Sequence, residues 1–313
     1  MTHKFAPCRI FGKPRFASLT ALLLTTTSVA LAQSLPISNV GDQVILPGAQ
    51  YTATHIYTSV DKINDLVASL QAALGGGQAT PVGPLQITPA PSNTKAYILT
   101  TPAGGFSIFA FYTPIPYGFG DEHVGYYVTD INAAVRKAVS NGANVVVSYF
   151  SDPVGTDAIV QWPGGIKSQF YHTNQPRSEP PLRSVPEQRV YLSGNDADKY
   201  IIGYLRFTGG RVIKDIRNAN GIDIGEPNKT YRLVKLQSTI GKVTILVTDG
   251  HMPYPYGIEH DGFEVPGLAA ALQNAMNLGA TPLTKPIYAN GRTGVIVSFP
   301  GGFIAELHEK DSP

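Results

Sequence analysis

A gapless internal repeat constrains this chain more than any other feature. Residues 122–169 align with residues 259–306 at a constant offset of 137, and 15 of the 48 positions are identical. The identities include Glu122/Glu259, His123/His260, and Pro163-Gly164-Gly165 against Pro300-Gly301-Gly302. A register of that length with its glycines in step marks a duplicated structural unit.

Each copy reads as strand, helix, then three strands. In the first copy residues 123–128 form a strand and Asp130 caps a helix whose Ile131, Ala134, Val135, Ala138 and Val139 make one apolar stripe. Leu268, Ala271, Leu272, Ala275 and Met276 repeat that stripe, and Gly142 and Gly279 sit where helices stop. Strands follow at 145–150, 158–162 and 166–171. Two weaker units precede the copies. The earlier has a strand at 51–60, Asp61 as helix cap, and a stripe from Ile63 to Leu74 ended by Gly75-Gly76-Gly77. A Pro-rich loop at 80–91 and strands at 96–100 and 106–112 complete it. The later has strands at 189–193, 231–236 and 242–248 and a helix at 196–207. Residues 173–188, with Pro176, Pro180, Pro181 and Pro186, read as a linker.

The expected class is therefore α+β: four βαβββ modules paired into two cupped half-barrels, since a lone open sheet leaves a face uncovered. The first pair occupies 33–172 and the second 189–313. Residues 1–32 read as a secretory signal peptide, with Lys4, Arg9, Lys13 and Arg15 ahead of an apolar run and Ala30-Leu31-Ala32 as the cleavage site. The run is too short and too rich in hydroxyls for a membrane anchor. The expected location is secreted or periplasmic, with no membrane association after cleavage.

The single cysteine, Cys8, lies in that leader, which excludes disulfides, a thiol nucleophile and thiolate metal ligands from the mature chain. The leader holds four of the 24 basic residues and none of the 22 acidic ones, so the mature chain is close to neutral and offers no basic stripe for nucleic acid. Gly75-Gly76-Gly77 lacks the Lys and following helix of a phosphate loop, and no Gly-x-Ser-x-Gly elbow occurs.

The His-x-Gly-x-x-Val strand, the Gly-Ala after the helix and the Pro-Gly-Gly turn before a Gln or Glu strand resemble the vicinal oxygen chelate superfamily, the group of glyoxalase I, extradiol dioxygenases and bleomycin-resistance proteins. The resemblance spans nearly all of 51–309 and is strongest in the second and fourth modules. It implies a small-molecule substrate or ligand, a divalent metal (Fe, Mn or Zn) and no organic cofactor. It places metal ligands at His260 and Glu306, with His308 as a further ligand and Glu306 or Glu264 moving a proton. In the first pair it implies a pocket at His55, His123, Tyr127, Gln169 and Tyr171, although register from Asp61 turns Thr54 inward rather than His55. Two departures stand out: Gln169 replaces the carboxylate in the first pair, and the strand 189–193 supplies no His or Glu to the second. The sequence thus supports a metal-dependent lyase, isomerase or dioxygenase, or else a metal-free protein that sequesters an aromatic ligand.

Overall fold

The computed structural model describes residues 52–153, 155–173 and 182–310. The signal sequence and the middle of the linker, 174–181, lie outside the described residues.

The first module holds β1 (Thr52–Thr58), α1 (Ile63–Leu74), β2 (Gln78–Leu85), β3 (Thr94–Thr101) and β4 (Gly104–Phe111). The second holds β5 (Val124–Tyr127), α2 (Ile131–Ser140), β6 (Asn144–Ser151), β7 (Thr156–Gln161) and β8 (Lys167–His172). The third holds β9 (Glu187–Ser193), α3 (Gly194–Thr208), β10 (Arg211–Asn220), β11 (Thr230–Gln237) and β12 (Lys242–Thr248). The fourth holds β13 (Glu259–Glu264), α4 (Leu268–Asn277), β14 (Thr281–Pro282), β15 (Ile287–Ala289), β16 (Arg292–Ser298) and β17 (Ile304–His308). The modules join in pairs as two sheets, in the orders β2-β3-β4-β1-β5-β8-β7-β6 and β10-β11-β12-β9-β13-β17-β16-β14. The expected α+β class and its two cupped sheets are what the chain adopts.

The repeat is also a register. Gly125 pairs with Gln169 on β5 and β8, and Gly262 pairs with Glu306 on β13 and β17, each position moved by the same offset. The backbone pairing that sets β1 against β5 likewise returns between β9 and β13, which brings His55 and Arg189 to equivalent places.

Strands pair within each half of the chain, but the apolar cores run between the halves. One core joins α1 and α4 through Leu66, Leu70, Phe263, Leu268 and Leu307. A second joins α2 and α3 through Ala134, Trp162, Phe170, Tyr204 and Phe207. Each fully buried side chain of this kind contributes about 1.5–3 kcal/mol of transfer free energy. The Pro-Gly-Gly turns belong to this contact. A Cβ at Gly164 would lie 2.3 Å from Leu192, and one at Gly301 would lie 2.0 Å from Thr58 Oγ1, each on the first strand of a module in the other half. Both glycines also have φ near +83°, which L side chains seldom adopt.

Three local expectations are corrected. Asp61 does not cap α1; Lys62 holds that position without a side-chain cap, and Ser59 bonds Asp61 instead. The Pro-rich loop is in large part β2, an edge strand, where a missing N–H is tolerated. The linker is shorter than its prolines suggest, because Glu187 and Gln188 are buried on β9. Among the aromatic side chains Tyr112 and Tyr117 stand exposed, whereas Tyr126 and Trp162 are core.

Candidate functional site

The helix-free face of each sheet forms a cup, and in both cups the residues opposite one another come from the repeat. Alternation places His260, Gly262 and Glu264 on one face of β13, with Glu306 and His308 on the same face of β17. Glycine makes room for the Glu306 carboxylate, since a Cβ at Gly294 would lie 2.3 Å from its Oε1.

What meets that carboxylate is arginine. Arg189 Nη1 lies 3.3 Å from Glu306 Oε2, and Arg292 Nη2 donates to the same oxygen. Glu187 closes the network, accepting from Arg292 Nη1 at 2.9 Å and from Arg189 Nη1 at 3.3 Å. Burial alone would push the two carboxyls up, but the guanidiniums, joined by Lys235 at Glu187, hold both below the usual carboxylate range. Burial and Arg189 together pull His260 down to about 3, so its imidazole is neutral. Burial, then Arg292, also lowers His308, whose Nδ1 sits 2.7 Å from the Glu309 carbonyl oxygen. Around this network Tyr191, Leu233, Leu246 and Ile296 pack a third apolar cluster into the cup.

A divalent cation does not fit there. An ion bridging His260 and Glu306 would have to displace two buried guanidiniums already held by that carboxylate, and a low-dielectric interior screens their repulsion of it only weakly. Among the described residues no group of three His, Asp or Glu is placed to hold a metal ion. Glu264 is partly buried at the strand end, where its carbonyl accepts from Arg183 and Ser184, both at 3.3 Å.

The first cup is differently furnished. His55, not Thr54, faces into it: the ring lies edge-on to Phe109 with centroids 5.5 Å apart, and a Cβ at Gly125 would strike its Nε2. Tyr127 and Tyr171 meet at 5.7 Å on the same face. Gln169 Nε2 donates to Asp157 Oδ1 at 2.7 Å, so the carboxylate missing from the repeat position stands one strand away. Burial and Asp152 push Asp157 up to about 7, against the pull of Gln169. His123 leaves this group and turns to the other half of the chain.

There the two Glu-His pairs converge on a cavity of about 440 Å³, lined by His55, Glu122, His123, Glu259 and His260, with Tyr57, Tyr254, Tyr256 and His251. His123 Nδ1 stands 3.5 Å from Asp261 Oδ2, and its side chain remains 29% exposed. Burial opposes its charge, yet Glu259 and Asp261 raise it to about 9. Glu259 is pushed up to about 7 by burial, against His123 and the bond from Gln188. Glu122 accepts from the Tyr57 hydroxyl and from Gly120 N, and His55 Nδ1 lies 3.8 Å away. Among the described residues eight buried side-chain polar atoms lack a hydrogen-bond partner, and four of them belong to the cavity-lining His55, His123, Glu259 and His260. His55 Nδ1 and His123 Nδ1 still face carboxylates, but Glu259 Oε1 and His260 Nε2 have no such contact. Unpaired buried polar atoms are costly and rare, and these two mark the cavity as a place where a ligand can complete the bonds.

Sequence reasoning reached His55, His123 and His260 but not Glu122, Glu259 or Asp261 as site residues. Asp261 did carry a signal, because it stands where the first copy has the core residue Val124.

No protein-family profile matches the chain, and no curated protein is significantly similar to it in sequence. Solved structures do match. A triple mutant of 4-hydroxymandelate synthase from Streptomyces coelicolor superposes over 86% of this chain and 94% of its own, with TM-score 0.58 and 11% identity. The 2,2',3-trihydroxybiphenyl 1,2-dioxygenase of Sphingomonas wittichii covers 86% and 91%, with TM-score 0.54 and 12% identity. An Mn(II)-bound glyoxalase from Novosphingobium aromaticivorans covers 85% of both chains, with TM-score 0.51 and 13% identity. At such identities the likeness is one of fold.

Proposed function

The chain has the vicinal oxygen chelate fold, and on it we propose an enzyme that moves a proton on a small oxygenated molecule held in the cavity between the two Glu-His pairs. The observation that carries this reading is the pairing of Glu259 with His123 on the cavity wall, their proton affinities brought to about 7 and about 9. A carboxyl poised near neutrality is a competent general base, and an adjacent imidazolium is a competent acid. Together they suit an isomerase or lyase type of reaction, in which a proton leaves carbon and returns elsewhere. Mn(II) belongs to the glyoxalase neighbour; in this chain Arg189 and Arg292 occupy the surroundings of Glu306, and the proposed chemistry runs on side chains. Export completes the reading, motivated by the leader ahead of Gln33.

The test is solvent deuterium wash-in, followed by proton NMR in D₂O across α-hydroxyketones, enediols and ortho-diphenols. Wild-type protein is expected to exchange one class of carbon-bound proton, and Glu259→Gln to slow that exchange by about 10²-fold or more. Exchange that Glu259→Gln and His123→Gln both leave intact would sink the assignment. Sequestration without turnover, favoured by the tyrosine-rich lining, would instead give binding with no exchange. N-terminal sequencing of the exported protein is expected to begin at Gln33.

A further inference from the structure

The seam cavity has a sign. Its wall carries Glu122 and Glu259, and among the described residues that line it there is no lysine or arginine. Its charged imidazole, His123, faces both Glu259 and Asp261, the latter at 3.5 Å, so with Glu122 three carboxyls stand against one imidazolium. Glu122 is satisfied by Tyr57 and Gly120 N and faced by His55. Glu259 is not satisfied: Oε2 accepts from Gln188 Nε2 at 2.7 Å, while Oε1 is buried without a partner, in a residue only 5% exposed. The wall also carries three aromatic rings, Tyr57, Tyr254 and Tyr256, a residue type whose electron-rich ring attracts a cation. The arginines that suppress charge on His260 belong to the second cup and do not reach the wall.

We propose that the seam cavity takes an organic cation, a small hydroxyaryl amine whose ammonium meets Glu259 Oε1 and whose ring lies among the tyrosines. The far end of such a ligand has a partner too. The Tyr191 hydroxyl faces His260 Nδ1 at 3.4 Å and can donate to it; in that tautomer the partnerless Nε2 of this cavity-lining residue carries the hydrogen. A ligand hydroxyl oxygen can accept from it. The inference rests on the seam cavity being the ligand site, and it adds the charge that the ligand must carry. It disfavours carboxylate and phosphate ligands, which would meet two carboxylates and neither lysine nor arginine.

Three isosteric probes test it by titration calorimetry at pH 8: tyramine, its neutral analogue tyrosol, and anionic 4-hydroxyphenylacetate. Tyramine is expected to bind at least about tenfold more tightly than tyrosol, with no detectable binding of the anion. Between pH 6 and pH 8 tyramine binding should strengthen and release protons, because Glu259 loses its proton near 7 while His123 stays charged below about 9. Glu259→Gln, which keeps the bond from Gln188, should bring the tyramine-to-tyrosol ratio to about unity. Equal or tighter binding of tyrosol or the anion overturns the charge assignment and leaves the seam site standing. An unchanged ratio in Glu259→Gln overturns the ammonium contact. Failure of all three probes to bind overturns the seam site itself.

Discussion

The same Glu-His dipeptide occurs at 122–123 and 259–260, and the two imidazoles are driven in opposite directions, His123 up to about 9 and His260 down to about 3. Neither value follows from the dipeptide. His123 faces the carboxylates of Glu259 and Asp261, whereas His260 faces Arg189 and Arg292. The comparison extends to the cups. The first retains an imidazole at His55 and loses the carboxylate at Gln169; the second retains Glu306 and has Arg189 where His55 would be. A duplicated frame fixes where side chains stand, and single substitutions at equivalent places decide which charges they meet.

The sharpest way to break the comparison is at Arg189. Arg189→Leu leaves Glu306 and Glu187 short of a buried partner, and a loss of about 3–5 kcal/mol is expected in urea unfolding. A change within experimental error would mean that Arg292 alone neutralises the cup. Arg189→His with Arg292→Gln converts the second cup toward the first. Elemental analysis is expected to find about one divalent ion per chain in that variant, while Mn²⁺, Fe²⁺ or Zn²⁺ added to wild type should not raise its melting temperature.

The two regions should also answer pH in opposite directions. Glu187 and Glu306 are held low, so their contribution is present above the unfolded carboxyl value and fades as pH falls. His260 acts in the same sense, since below 6.5 the unfolded chain takes up a proton that the fold refuses down to about 3. His123 is raised, so its contribution is complete below 6.5 and is lost as pH climbs through about 9. Glu259 favours the fold most below 4.5 and loses that advantage by about 7. Melting temperatures from pH 2.5 to pH 10 should therefore fall on both limbs, with His123→Gln flattening the alkaline limb and Glu306→Gln the part of the acid limb below 4.5.

The smallest effect is expected from Asp261→Val, which gives the second copy the residue of the first. Removing one partner of a buried ion pair leaves His123 less compensated, so a loss of about 1–3 kcal/mol is expected. The same change should lower the His123 proton affinity in an NMR titration; an unmoved titration would remove Asp261 from the account of that imidazole.

Much of the fold was legible because helix stripes and the Pro-Gly-Gly turns are local signals. The strand β10 was missed because Arg211–Asn220 is mostly exposed and shows no alternation, and β2 because its prolines read as a loop. The face occupied by His55 was misread because it depends on pairing with β4 and β5, not on distance from Asp61. In the candidate site, single residues were legible but their partners were not. Nothing local to His123 announces Asp261, more than a hundred residues away, and the arginines around Glu306 come from β9 and β16.

The helix contacts carry a last consequence. Helix α1 rests on α4, and α2 on α3, so each half presents to the other the same kind of surface that it receives. That is the geometry of an isologous two-fold dimer folded into one polypeptide. Neither half buries its own helices alone, and a half-length chain would need a second copy of itself to do so. Two fragments divided within 174–181 are therefore expected to find each other when co-expressed, and each to aggregate when expressed alone.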